Sequence, residues 1–169
     1  MDKNTLRKQA KEIRKTLDTE KISADLASQI RQSKIFENSK NVMLFYPTKY
    51  EVNLLSLIEE NKNFYLPRVN DKKLEVCMYK KGDRLKKSSL GIYEPINQTV
   101  APEILDLIIV PALICDKKKY RLGYGGGYYD RFLKKVKCNT ICAIPKELYI
   151  EELPIDEYDI KMDKIFLSQ

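Results

Sequence analysis

The chain has 169 residues, of which 43% are hydrophobic and 33% charged, and its net charge of +7 comes from 31 basic and 24 acidic side chains with no histidine anywhere. That length suits one domain with one buried core, and the composition is that of a soluble globular protein slightly rich in charge. Without histidine, Ser-His and Cys-His nucleophiles and a histidine base are excluded, and the longest apolar run (104–115) is too short and too interrupted, by Asp106 and Pro111, to span a membrane.

The N-terminal stretch "MDKNTLRKQAKEIRKTL" is charged throughout, with no apolar signal core, and Asp2 and Glu12 are foreign to a mitochondrial presequence. A cytoplasmic protein is expected. Apolar spacings of three, four and seven predict helices over 5–17 (Leu6, Ile13, Leu17) and 20–34 (Ile22, Leu26, Ile30). "NVMLFYP" (41–47) is a strand stopped by proline, and 51–61 places Leu54, Leu55 and Ile58 on one face of a further helix. Strands follow over 63–69 and 74–80, a turn at "GIYEP" (91–95), and the strongest buried strand over 106–114. A helix from Tyr128 to 136, a strand over 140–145 and a last one near 164–168 complete the chain.

Helices alternating with short apolar strands predict a single-domain, three-layer α/β/α fold over 1–169 with a mostly parallel sheet. No repeat or linker divides it. The four cysteines lack zinc-site spacing and read as ordinary thiols. The positive charge fits either a lysine-rich surface or attraction for an anionic ligand. With no concentrated basic arm and no aromatic RNA-binding signature, nucleic acid is not an expected partner.

Glycine is concentrated in one place. Four of the six glycines (Gly123, Gly125, Gly126, Gly127) fall in "YRLGYGGGYYDRFLKK" (120–135), between the buried strand and the helix from Tyr128. Glycines let main-chain N–H groups approach a phosphate, and a helix start adds positive potential. Arg121 and Arg131 offer charge-assisted hydrogen bonds, and Asp130 a carboxylate for magnesium bridging the phosphates. The stretch is neither a Walker A loop, lacking Gly-Lys-Ser/Thr, nor the dinucleotide fingerprint, whose third glycine is replaced by Tyr128. The expected fold is therefore Rossmann-like without GxGxxG. Residue chemistry alone leaves open a kinase or ligase with another acceptor, and a non-catalytic nucleotide sensor.

As a whole, "RLGYGGGYYDRFL" (121–133) resembles the signature of the 5-formyltetrahydrofolate cyclo-ligase family. Other elements agree in order: "KNTLR" with Lys3 and Arg7, "YPTKYEVNLLSLI" with Glu51, "YLPRV", "GIYEP", "DLIIVPAL", and "LPIDEYDIKMDKIF" with Asp159 and Asp163. Tyr124 stands at a loop position that varies in the family, and Tyr93 where some relatives carry tryptophan.

The resemblance implies ATP- and Mg2+-dependent conversion of 5-formyltetrahydrofolate into 5,10-methenyltetrahydrofolate, with ADP and phosphate released, by a monomer acting on small molecules. It places Lys3, Arg7, Arg121, Leu122, Gly123, Tyr124, Gly125, Gly126, Gly127, Tyr128 and Tyr129 on ATP. It places Tyr46, Glu51, Tyr93, Tyr124, Gly125, Gly126, Gly127 and Tyr128 on the folate. Arg121, Tyr128 and Asp130 carry the chemistry, and Asp130 and Asp159 the metal. Such chemistry relies on positioning and charge neutralisation, so it needs no histidine.

Overall fold

A computed structural model describes residues 1–169. Helices α1 (Lys3–Lys15), α2 (Thr19–Arg31) and α3 (Lys34–Glu37) open the chain, each started by a side-chain cap from Asp2, Asp18 or Ser33. Each cap oxygen accepts a main-chain N–H that the first turn leaves without an intrahelical partner. Then come β1 (Asn41–Met43), β2 (Asn63–Asn70), β3 (Lys73–Tyr79), β4 (Leu85–Lys87), β5 (Tyr93–Pro95), β6 (Thr99–Val100), β7 (Leu107–Ile109), β8 (Ile114–Asp116) and β9 (Arg121–Leu122). The chain ends with α4 (Tyr128–Leu133), β10 (Asn139–Ile144), β11 (Tyr149–Ile150) and β12 (Lys164–Leu167).

The main sheet runs β12-β10-β7-β1-β2-β3-β6. Its first five strands are parallel, and β3 and β6 add an antiparallel edge beyond β2. Side chains alternate across it. Val42, Leu107, Ile109, Ile141 and Ala143 join Leu26, Ile30 and Phe36 in one apolar layer. Met43, Ile108, Cys142 and Ile144 join Ala10, Phe132 and Leu133 in the other. The period of two in these strands puts helices on both faces, as the three-layer expectation requires. One face also carries a small sheet, β11-β8-β9, which the sequence did not announce.

Five expectations are corrected. The stretch 106–114 is not one strand: Pro111 has no N–H for a ladder, so β7 stops at Ile109 and β8 enters the small sheet. The glycine stretch therefore follows a β8–β9 hairpin, paired Ile114↔Leu122 and Cys115↔Arg121, instead of leaving a parallel strand directly. The buried Asp116 holds that hairpin, accepting from the N–H of Lys118 and Tyr120 through Oδ1 and of Leu153 through Oδ2. The helix expected over 51–61 shrinks to a 3-10 turn, Leu55–Glu59. The buried residues there are Val52, Leu54 and Leu57, and the N–H of Asn53 is taken by the Ser23 hydroxyl, so tertiary contacts replace the helical ladder. Finally, α1 turns Ile13 outward and buries Ala10 and Arg14, and the "GIYEP" turn contributes the short strand β5.

Candidate active site

Strand β1 lies between β2, reached by a connection over one face, and β7, whose continuation through β8, β9 and α4 covers the other face. Such a reversal opens a crevice beyond the carboxyl ends of the strands. A cavity of about 1030 Å³ opens there, lined by Phe45 and Tyr46 after β1, Pro67 and Val69 on β2 and Pro111 after β7. Every residue that the resemblance placed on a ligand or the metal lines it: Lys3, Arg7, Tyr46, Glu51, Tyr93, the whole stretch from Arg121 to Asp130, and Asp159; Asp163 does not, accepting instead from the Thr140 N–H. These positions come from five separate parts of the chain, so the fold brings them together.

Residues 123–127 need their glycines. Gly125 and Gly127 have φ of +108° and +70°, where a side chain is strained. A Cβ on Gly126 would stand 2.7 Å from the Tyr128 ring. No main-chain N–H from Gly123 to Gly127 donates to a protein acceptor. Two carbonyls are held from outside: Arg7 Nε donates to that of Gly123 at 2.8 Å, and Arg131 Nη1 to that of Gly126 at 3.0 Å. In a trans peptide the N–H points opposite to its carbonyl, so the N–H groups of Tyr124 and Gly127 face away from the guanidinium groups. The result is a row of free donors on an ordered loop, suited to an anion. Helix α4 has only six residues, so its dipole adds less than the sequence suggested.

Arg121 is 8% exposed, and its Nη1 donates to the Pro111 carbonyl at 3.2 Å while Nη2 meets Asp130 Oδ1 at 3.1 Å. Its guanidinium lies 5.7 Å over the Tyr129 ring. Arg121 Nε and the Tyr129 hydroxyl are buried beside the cavity without partners. Burial, only partly offset by Arg121, pushes the Tyr129 phenol well above its ordinary range. Such buried unpaired groups are costly unless a ligand or water meets them.

The other end of the cavity is aromatic and apolar. Tyr46 and Tyr93 meet with ring centroids 5.2 Å apart and planes tilted 54°, near Leu90 and Ile92. Glu51 is 6% exposed, and its Oε1 accepts from the N–H and hydroxyl of Thr48, both at 2.9 Å. Its Oε2 has no protein donor, leaving an oriented carboxylate oxygen for a ligand's N–H groups.

No group of three or more His, Cys, Asp or Glu side chains converges to hold a metal. Magnesium asks for less, since it accepts one or two carboxylates with phosphate oxygens and water. Asp130 and Asp159 both reach the cavity and meet that requirement, so the residues fit magnesium carried in with phosphates. Each carboxylate is already beside a cation: Asp130 on Arg121, and Asp159 on Lys3 at 2.8 Å, with Asp156 sharing Lys3 at 2.9 Å. Burial opposes the charge on Lys3, but hydrogen bonds to Asp159 and Asp156 outweigh it and raise its pKa. Lys3 in turn lowers that of Asp156.

Sequence reasoning passed over Arg14, buried on α1 with its Nη1 2.9 Å from the Tyr124 hydroxyl. A signal was present: Lys3, Arg7 and Arg14 fall four and seven residues apart, on one helical face. Lys134, Asp156 and Tyr158 were also missed; they line the cavity, with the Lys134 ammonium 4.4 Å above the Tyr158 ring.

Comparisons with known proteins agree with this geometry. Residues 1–168 match the 5-formyltetrahydrofolate cyclo-ligase family. The 5-formyltetrahydrofolate cyclo-ligase of Haemophilus influenzae is 33% identical over 143 residues, covering 77% of this chain and 76% of its own. The mouse protein of the same name is 31% identical over 150 residues, covering 77% and 74%. Among solved structures, the 5,10-methenyltetrahydrofolate synthetase of Aquifex aeolicus superposes with a TM-score of 0.88 at 34% identity, over 99% of this chain and 90% of that one. The glycine stretch, the cavity and the chain-long similarity lead to one conclusion: the chain belongs to the 5-formyltetrahydrofolate cyclo-ligase family.

Proposed function

We propose that this chain converts 5-formyltetrahydrofolate into 5,10-methenyltetrahydrofolate, driven by ATP and magnesium, as a cytoplasmic monomer acting on small molecules. The observation that carries this is a single cavity with two unlike ends. Free N–H donors and cations lie at one, and an aromatic pair with a half-used buried carboxylate at the other. Its volume of about 1030 Å³ is at the upper end of ligand pockets, enough for two substrates side by side.

The formyl group on N5 is an amide, whose oxygen leaves poorly. Here that oxygen attacks the γ-phosphorus: an O–P bond forms, the bond to the β–γ bridging oxygen breaks, and ADP departs. The formyl carbon is then an iminium bearing a phosphate. N10 adds to that carbon with its lone pair, the C–O bond breaks with both electrons going to phosphate, and the N10 proton passes to water.

The chain supplies position and charge. The N–H groups of 123–127, with Lys3, Arg7 and Arg121, hold the triphosphate, and Leu122, Tyr128 and Tyr129 wall it. Glu51 Oε2 receives pterin N–H groups while Tyr46 and Tyr93 cover the rings and exclude water. Tyr124 and the adjoining glycines face both substrates. Arg121, Tyr128 and Asp130 surround the phosphoryl group in transit. When bound, magnesium neutralises charge on the β- and γ-phosphate oxygens, and Asp130 and Asp159 would hold it.

The test is direct. Purified protein with 5-formyltetrahydrofolate and Mg-ATP should develop the near-ultraviolet absorbance of the methenyl product, and omission of ATP should abolish it. A complete mixture whose absorbance stays constant overturns the assignment. Glu51→Gln should raise KM for the folate about 10- to 100-fold while leaving that for ATP nearly unchanged.

A further inference from the structure

Arg14 carries a charge that neither phosphate nor folate contact accounts for. It is 4% exposed, does not line the cavity, and forms no ion pair. Its Nη2 donates to the Ala112 carbonyl, its Nη1 to the Tyr124 hydroxyl, and its Nε to nothing. Burying a guanidinium without a counter-ion is costly, so stability alone does not explain it.

What Arg14 holds is informative. Tyr124 is the only residue of 123–127 with a side chain, and therefore the only side-chain handle on that loop. Although 43% of Tyr124 is exposed, its hydroxyl end turns inward. Thr48 and Glu51 line the same cavity as Tyr124. With Arg7 on the Gly123 carbonyl and Arg131 on that of Gly126, Arg14 completes a set of three arginines that fix an otherwise flexible loop at three points.

We propose that Arg14 is a positioning residue acting through the Tyr124 hydroxyl, which fixes the glycine loop and keeps the two halves of the cavity in register. The proposal rests on the assignment of Glu51 to the folate and of the loop to ATP. A folded loop that is already fixed loses less entropy when ligands bind.

The experiment compares wild type with Arg14→Met, Arg14→Lys, Tyr124→Phe and the Arg14→Met/Tyr124→Phe double variant, measuring KM for both substrates, kcat and thermal midpoint. Arg14→Met and Tyr124→Phe should each raise both KM values about tenfold, with kcat changed less than about threefold. The double variant should be no worse than the poorer single one, because both act through one hydroxyl. Arg14→Lys should recover part of the loss. Unchanged KM values in Tyr124→Phe, or additive losses in the double variant, overturn the proposal. If Arg14→Met fails to fold, Tyr124→Phe with Arg14→Lys still decides it. A wild type that forms no methenyl product would instead overturn the parent assignment, so the two failures are distinguishable.

Discussion

The Lys3 ammonium lies 2.8 Å from the Asp159 carboxylate, closing α1 onto a loop 156 positions further along the chain. Two groups assigned to opposite charges of a magnesium nucleotide thus neutralise each other in its absence. Asp130 and Arg121 do the same at the glycine loop. Nucleotide phosphate and metal would exchange partners with both pairs, so a nucleotide lacking its metal meets two unbalanced carboxylates.

Asp159→Asn should therefore improve binding of a non-hydrolysable ATP analogue in the presence of EDTA, by about three- to tenfold in calorimetric titration. Equal affinities in variant and wild type would mean that the pair does not oppose the bare nucleotide.

Lys3 and its second partner, Asp156, set a pH dependence whose sign follows from their pKa shifts. Lys3 is raised, so its contribution is present below the ordinary value of 10.5 and lost as pH rises through the higher folded value. Asp156 is lowered, so its contribution is present above 3.8 and lost as pH falls through the depressed value. The difference in melting temperature between wild type and Lys3→Met should stay flat from about pH 5 to about pH 9. A steep change inside that window would contradict the clamp.

Asp130→Asn should lower turnover about 10- to 100-fold and raise the magnesium concentration needed for half-maximal rate. An undiminished rate at low magnesium would remove Asp130 from the site.

Gly125→Ala tests the loop against a control elsewhere. Gly125 has φ +108° beside Arg7, and Gly82, which does not line the cavity, has φ +88° with open space around it. Both alanine variants should lose about 1 kcal/mol of stability from backbone strain. Only Gly125→Ala should also raise KM for ATP, by about tenfold or more. A similar effect from Gly82→Ala would mean that general destabilisation, not loop shape, governs nucleotide use.

Burial pushes the Cys138 thiol up to about 11, and contact with Cys142 together with burial also raises Cys115. Native protein at pH 8 should accordingly react slowly with iodoacetamide, and all four thiols should react after denaturation. Because the folded thiol keeps its proton longer than the unfolded one, Cys138 should make stability fall as pH rises from about 9 to about 11, a slope that Cys138→Ser should remove.

Much of the site was legible because its residues are chemically marked. A glycine run closed by Asp130 and flanked by arginines has few other uses, and the apolar patterns of α2, β1, β2, β10 and β12 located the elements around it. Arg14 was not legible, since an arginine in a helix of lysines looks solvated until Ala112 and Tyr124 close over it. The helix expected at 51–61 failed for the converse reason, because the Ser23 hydroxyl took the N–H of Asn53 and the Asn53 side chain that of Leu55.

By itself the sequence determined the chemistry on offer: a glycine-rich anion loop, no histidine, a layered α/β chain, and the residues available to two unlike ligands. Those follow from side-chain type and local spacing, which the linear order carries. Only the tertiary structure decided which charges neutralise one another and which are free. Lys3 with Asp159 and Arg14 with Tyr124 are set by packing between distant segments, Arg121 with Asp130 by the fold of the glycine loop between them, and the availability of a charge depends on that packing.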